Sequence, residues 1–250
     1  MKPSYFLLAA ATMLASAACN AEQQGRDSRT ADSAATENVQ PPADGDWSQI
    51  VTQTSGGAFR MGNPNAEVRL IEFASMTCPH CATFDETGVQ PLIDNYVKGG
   101  QVSFELRNYV RDPFDITASL IARCNGAQSF FPLTRALFDD QEQWISSLQT
   151  LPQSQLQGLT NLPPERQFLE IAKAANLQQW AAMRGVPTAK STQCLTDQSA
   201  VTQLVQMNSD ATSEYPELPG TPAFAIDGEL LENVTTWEQL EPRIREAVGN

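Results

Sequence analysis

Four consecutive residues, Cys78-Pro79-His80-Cys81, carry the most specific chemical signal in the sequence. Two thiols at this spacing can close a small disulfide ring, so the pair can alternate between a dithiol and a disulfide. The motif occupies the first turn of a predicted helix, where unpaired backbone N–H groups and the helix dipole stabilise a thiolate. Because the thiolate is the attacking species, we predict that Cys78 is the exposed nucleophile and Cys81 the deeper, resolving thiol.

His80 is the only histidine in the sequence. Its place within the motif suggests that its positive or partial charge stabilises the Cys78 thiolate. Such stabilisation favours the reduced form and makes the disulfide a stronger oxidant. A single histidine also excludes every site that needs two, including the HExxH zinc site and the facial triad.

Two other interpretations of the CxxC pair remain open. It could supply half of a zinc or copper site, because many structural sites begin this way, but the remaining cysteines of the folded part, Cys124 and Cys194, lie far apart in the sequence. It could also be a plain structural disulfide, although so short a ring constrains little of the unfolded chain. We therefore expect a redox pair with neither metal nor cofactor.

The composition is that of an acidic globular protein with a sizeable core. The chain has 250 residues, of which 41% are hydrophobic, and its formal net charge is -13. Neutralising phosphates requires clustered Lys and Arg, so this balance excludes nucleic acid as a partner.

Residues 1–18 have the pattern of a secretory signal peptide, with one lysine, the apolar run Tyr5–Leu14 and small residues at the end. The apolar run is shorter than the roughly 20 residues that span a membrane. We therefore expect export to an oxidising periplasmic compartment, where disulfides persist. The segment before Cys19 also resembles a lipobox, although Ser16 replaces the usual large aliphatic residue. Lipidation of Cys19, with membrane anchoring, and ordinary cleavage are both open.

The rest of the chain divides into four segments by composition and periodicity. Residues 19–46 form a predicted disordered tether, because they are too polar to bury enough surface to fold. Residues 47–112 contain a strand, a helix and a strand. Residues 113–215 form a helical insert, and residues 216–250 contain two short strands and a last helix.

Hydrophobic periodicity predicts the elements of these segments. Val68–Ala74 is an apolar run typical of a strand covered on both faces. Thr77 is the predicted N-cap of the following helix, Pro91 should kink that helix, and Gln101–Arg107 is the second strand. The predicted helices of the insert are Ile116–Cys124, Phe130–Phe138, Glu165–Arg184 and Ser199–Met207.

The C-terminal segment, residues 216–250, is predicted to form a hairpin followed by a helix. Asp227-Gly228 predicts a turn between Ala223–Ile226 and Glu229–Val234. Thr235 and Glu238 predict a capping box for the last helix. The predicted order is βαβ, a helical insert and ββα.

These features resemble the bacterial DsbA-like thiol:disulfide oxidoreductases. The resemblance rests on Glu72-Phe-Ala-Ser-Met-Thr-Cys-Pro-His-Cys81, the helical insert and Gly220-Thr-Pro-Ala-Phe-Ala-Ile-Asp-Gly228, and it covers Trp47–Val248. It implies an α/β thioredoxin fold with an inserted helical domain. It also implies an enzyme that oxidises dithiols in reduced exported proteins and that a membrane redox partner reoxidises. A reductase or isomerase, and a non-enzymatic metal-binding module, are the alternatives.

The resemblance also implies roles for individual residues. Pro222 would be a cis-proline facing the CxxC pair, so that Thr221 presents its backbone to substrate; an ordinary trans proline is the alternative. Glu72 would be a buried acid that takes part in proton transfer, whereas an edge-strand carboxylate facing water is the alternative. Met76-Thr77 stands where the family often has aromatic residues, which puts a hydrophobic substrate surface in doubt.

Cys124 and Cys194 both fall in the insert, and we predict a disulfide between them because two free thiols would be unusual in an exported protein. Some relatives of DsbA carry a similar second bridge. The isomerase branch of the family resembles a dimer built by an N-terminal domain. Residues 20–46 are too polar to form one, so we expect a monomer.

Overall fold

The computed structural model of the chain describes residues 39–249. The predicted signal peptide, Cys19 and most of the predicted tether lie outside these residues. No helix within the described range combines the length and the apolar character that a membrane span requires.

The centre of the fold is a six-stranded mixed β-sheet with strand order β1-β2-β4-β3-β5-β6. The strands are β1 (Val51–Gln53), β2 (Phe59–Met61), β3 (Val68–Ala74), β4 (Val102–Asn108), β5 (Ala223–Ile226) and β6 (Glu229–Leu230). β3 pairs in parallel with β4 and antiparallel with β5, which leaves β3 in the interior of the sheet. The prediction of β3 is confirmed to the residue, and β4 is displaced by one residue from its predicted position.

The two faces of β3 contribute to different clusters, because successive strand residues point to opposite sides of a sheet. Leu70 and Ala74 belong to the main core, whereas Ile71 and Phe73 pack in a second cluster on the other face. Glu72 therefore points to the same side as Leu70 and Ala74, into the main core.

The helix after β3 alternates between α- and π-helical segments. These are α1 (Pro79–Phe84), the π segment Asp85–Val89, α2 (Gln90–Leu92) and the π segment Ile93–Val97. Pro91 lies in α2, between the π segments, which fits its missing N–H donor. The predicted N-cap at Thr77 is wrong by one residue. Cys78 is the N-cap, because the fixed φ of Pro79 suits the first helical position.

The insert is entirely helical among the described residues. Its helices are α3 (Pro113–Arg123), α4 (Ala127–Asp139), α5 (Gln141–Gln149), α6 (Gln153–Thr160), α7 (Pro164–Ala174), α8 (Leu177–Ala182), α9 (Thr188–Thr196) and α10 (Gln198–Glu214). The single helix predicted over Glu165–Arg184 is wrong, because Asn176 takes a left-handed conformation with φ 56° and separates α7 from α8.

The C-terminal part forms the predicted hairpin and a last helix, α11 (Trp237–Val248). Asp227 and Gly228 make the turn with φ 50° and 88°, which matches the demand of a tight hairpin for positive φ. β6 ends at Leu230, earlier than predicted. The capping box is displaced by one residue, since Gln239 Oε1 accepts a hydrogen bond from the backbone N of Thr236 at 3.3 Å.

Candidate active site

The predicted site lies where the end of β3 meets the start of β5. β5 runs antiparallel to β3, with Ala223 opposite Phe73, so the start of β5 lies beside the end of β3. Cys78 follows β3 and the Thr221–Pro222 peptide precedes β5. That peptide is cis, as the resemblance implied. The Cys78 Sγ lies 3.2 Å from the Thr221 carbonyl oxygen, to which the thiol donates.

Cys78 is strongly acidified. Its pKa is lowered from 9.0 to about 5. The largest cause is a hydrogen bond from the Cys81 thiol. The Thr221 side chain and the backbone N–H groups of Cys81 and His80 lower the pKa further, whereas burial opposes them. The Thr221 hydroxyl is buried and has no hydrogen-bond partner among the described residues. It is therefore free to donate to the sulfur once the thiol loses its proton. Cys78 is a thiolate at neutral pH.

Cys81 has the opposite character. It is fully buried, and burial is the largest cause that raises its pKa well above the ordinary value; its hydrogen bond to Cys78 and the charges of Glu72 and Cys78 act in the same direction. The expected exposure of Cys78 is wrong, however, because only 3% of its surface is accessible. The sulfur lies against the Thr221 carbonyl. The asymmetry of the pair therefore lies in acidity more than in exposure.

Glu72 lies on the interior strand β3, between Leu106 of β4 and Phe224 of β5, and is 2% exposed. The edge-strand alternative is therefore wrong. Burial raises the pKa of Glu72 well above its ordinary value, and the charges of Asp85 and Cys78 raise it further. The causes of this raised pKa, burial first, favour the protonated form of Glu72 and so reduce its opposition to the Cys78 thiolate.

A second buried acid, Asp85, was not predicted. It stands one helical turn after Cys81 and is 4% exposed. Burial is the main cause that raises its pKa to about 7, against the opposing charge of Arg135, whose Nε lies 3.5 Å from Oδ2. An acid four residues after Cys81, on the apolar side of the predicted helix, is the signal that could have found it. Glu72 and Asp85 together place two titratable carboxyls near the redox pair.

Pro79 and His80 lie at the surface beside Cys78. The backbone N–H of His80 is among the groups that lower the pKa of Cys78. A contribution from the imidazole charge stays a prediction. Met76, at the position where relatives often have an aromatic residue, is fully buried and offers no surface to a substrate.

A groove of about 600 Å³ opens beside the motif, between α1 and the insert. Pro79 and Ala82 line one side, and Phe138, Asp139 and Ile145 are among the residues that line the other. Within residues 39–249, no group of three or more His, Cys, Asp or Glu side chains is arranged to hold a metal ion.

Cys124 and Cys194 are joined in the predicted disulfide, with their Cα atoms 5.6 Å apart. The bond connects the C-terminal end of α3 to α9, both within the insert. These cysteines therefore take no part in the site at Cys78.

Comparison with known proteins agrees with this geometry. The sequence profile of the family described as Thioredoxin matches residues 54–246. A structure of the protein-disulfide isomerase from Novosphingobium aromaticivorans is 34% identical, with a TM-score of 0.73, and the match covers 76% of this chain and 97% of that one. α-DsbA1 of Wolbachia pipientis shares the fold at 20% identity and a TM-score of 0.61, covering 76% of this chain and 90% of its own.

A Rickettsia prowazekii protein whose name provisionally assigns it to the protein-disulfide oxidoreductases is 25% identical over 174 residues. The match covers 69% of this chain and 55% of the relative, so the chain spans about half the length of the curated relatives it matches. The profile match covers most of the chain, and the matched residues include the cysteine motif and the cis-proline described above. The chain therefore belongs to the thioredoxin family, with the fold of its DsbA-like members.

Proposed function

We propose that the protein is a thiol–disulfide oxidoreductase that oxidises dithiols in exported proteins. The observation that carries the proposal is the placement of Cys78 at the N-terminal end of α1, against the Thr221 carbonyl, with Cys81 fully buried behind it. This placement agrees with the opposed acidity of the two thiols, a Cys78 pKa of about 5 beside a Cys81 pKa well above its ordinary value. An acidic Cys78 stabilises the reduced enzyme, and a stabilised reduced form makes the disulfide a strong oxidant.

The reaction begins with the Cys78–Cys81 disulfide. A substrate thiolate attacks the Cys78 sulfur, the bond to Cys81 breaks, and Cys81 leaves with the electron pair and takes up a proton. Glu72 and Asp85 are the nearby groups that can supply that proton, since both pKa values are raised. The substrate's second thiolate then attacks the mixed disulfide, and Cys78 leaves as a stable thiolate. Two electrons have passed from the substrate to the enzyme.

Two features beside Cys78 are the candidate binding surface for substrates and for a redox partner. The Thr221 backbone lies against the Cys78 sulfur, and the groove between α1 and the insert begins at Pro79. We propose that reduced exported polypeptides occupy this region and that a membrane redox partner reoxidises the pair there. The predicted export signal supports a periplasmic location, and the polar character of residues 20–46 supports a monomer. Radiolabelled fatty acid incorporated by the parent but not by Cys19→Ala would establish lipid anchoring.

An isomerase is the second candidate, because the Novosphingobium relative carries that name at 34% identity. The reduction potential of the Cys78–Cys81 couple, measured by equilibrium with glutathione, separates the functions. A potential more oxidising than about -150 mV, together with rapid oxidation of a reduced model protein, supports the oxidase. Efficient reshuffling of a scrambled model protein without net oxidation would support the isomerase. Stoichiometric zinc or copper in protein that lacks dithiothreitol-dependent exchange would support the metal-binding alternative.

A further inference from the structure

The loop before the nucleophile is held by a side chain from the helical insert. Gln141 lies on α5 and is 6% exposed. Its Nε2 donates to two backbone carbonyl oxygens, that of Met76 at 2.8 Å and that of Cys78 at 3.0 Å. One buried amide therefore holds both ends of the short segment that leads into α1.

Asp115 of α3 holds the same segment from the other side. Its carboxylate accepts hydrogen bonds from the Ser75 hydroxyl at 2.5 Å and from the backbone N of Met76 at 2.8 Å. The peptide groups on either side of Met76 are thus bound through N–H by Asp115 and through C=O by Gln141. Because buried polar groups that lose a partner are costly, this pair of contacts fixes the segment to the insert.

The Cys78 carbonyl has two roles in this arrangement. It accepts the first hydrogen bond of α1, from the backbone N of Ala82 at 3.2 Å, as well as the one from Gln141. Cys78 is also the N-cap residue, and its own side chain makes no capping hydrogen bond. The contact from Gln141 therefore helps to fix where the sulfur lies relative to the N–H groups of the first helical turn.

We infer that Gln141 is a positioning residue for the redox motif, through which the helical insert sets the geometry and hence the reactivity of Cys78. The inference rests on the proposed function only in taking Cys78 as the nucleophile. Without Gln141, the first turn of α1 is held less firmly, and the thiolate loses part of its alignment with the backbone N–H groups.

The chain provides a matched control in Gln167 of α7. Gln167 is 8% exposed, and its Nε2 also donates to two carbonyl oxygens, those of Thr160 at 2.6 Å and Leu159 at 3.3 Å. Both contacts lie within the insert. Gln167→Met therefore removes the same kind of buried double hydrogen bond as Gln141→Met, without touching the redox motif.

The experiment titrates the Cys78 thiolate of the reduced full-length protein by its ultraviolet absorbance in the parent, Gln141→Met and Gln167→Met. Urea unfolding of each variant measures its stability. We expect Gln141→Met to reduce the ratio of thiolate to thiol near the parent's midpoint by about tenfold, because two hydrogen bonds no longer fix the turn. Gln167→Met should lose similar stability and keep the parent's titration.

An unchanged titration in folded Gln141→Met, or an equal shift in Gln167→Met, would overturn the inference. If Gln141→Met does not fold, Gln141→Asn, which keeps the amide but shortens its reach, answers the same question. An unchanged titration there has the same meaning. The titration needs no substrate, so it remains decisive even if the protein proves not to oxidise dithiols.

Discussion

The two cysteine pairs of the described chain differ both in burial and in their positions on helices. Cys78 and Cys81 are buried free thiols, whereas the disulfide-bonded Cys124 and Cys194 are partly exposed. Burial alone would therefore point to the wrong pair as reactive. Cys78 stands at the N-terminal end of α1, and Cys124 stands at the C-terminal end of α3. The helix dipole favours a thiolate at the first position and disfavours one at the second, so helix polarity separates the redox pair from the structural pair.

The strongest test of this comparison removes one sulfur at a time. Cys78→Ser should reduce exchange by more than about a thousandfold, because the attacked and leaving sulfur is lost. Cys81→Ser should instead leave Cys78 able to capture substrates and unable to release them quickly. Disulfide-linked complexes on non-reducing gels measure this difference. Complexes that accumulate only with Cys78→Ser would show that the two roles are reversed.

The structural pair should affect stability and leave chemistry unchanged. The Cys124–Cys194 bond spans 70 residues of sequence, and closing such a loop stabilises the fold by about 4 kcal/mol in the chain-entropy model. The double change Cys124→Ala with Cys194→Ala should lower the free energy of unfolding by up to this amount, measured in urea. Exchange at a temperature where the variant is folded should match the parent. Recovering both cysteines as free thiols from native protein would contradict the bridge itself.

The buried acids near the redox pair predict a pH dependence of stability. The pKa of Asp85 rises on folding from 3.8 to about 7, so between these values the folded state binds more protons than the unfolded state. Stability from this group is present below about pH 4 and is lost as the pH rises towards 7, by up to about 4 kcal/mol. Asp85→Asn should lack this part of the slope. Parallel curves for parent and variant in urea titrations across the pH range would show that Asp85 titrates normally.

The smallest expected effect concerns His80, because its side chain is exposed and its charge is screened by water. His80→Ser should raise the pKa of Cys78, lower the reduction potential and slow the oxidation of a reduced model substrate. We expect a change on the order of 30 mV, which for a two-electron couple is about 1.4 kcal/mol. If the potential and the thiol titration are unchanged, the acidity of Cys78 comes from the backbone N–H groups, the Cys81 thiol and Thr221 alone.

Local patterns predict the long, strongly apolar elements and miss the short or weakly amphipathic ones. β3 is buried on both faces and therefore appears in the sequence as an apolar run. β1 and β2 have three residues each, which is too short for a detectable pattern. α6 buries none of its side chains, so it has no apolar face to detect.

Some residues of the site are recognisable from the sequence and others are not. The motif cysteines and Pro222 are recognisable from their neighbours in sequence, as is the turn at Asp227. Gln141 is not, because its contact with Cys78 joins residues 63 positions apart and a glutamine on a polar helix gives no sign of its partner. Periodicity places Asp85 on the apolar side of the predicted helix, but its raised pKa depends on the surrounding packing, which periodicity does not describe.

The contact between Cys78 and Thr221 has a consequence for biosynthesis. It joins residues 143 positions apart, on opposite sides of the insert. A chain that emerges N-terminus first therefore presents its CxxC motif before the segment that completes the sulfur's surroundings exists. In that interval the sulfur lacks both the Thr221 carbonyl that the thiol contacts and the Thr221 side chain, which lowers the pKa of Cys78. We therefore expect Cys78 to reach its full acidity only after β5 has joined the sheet.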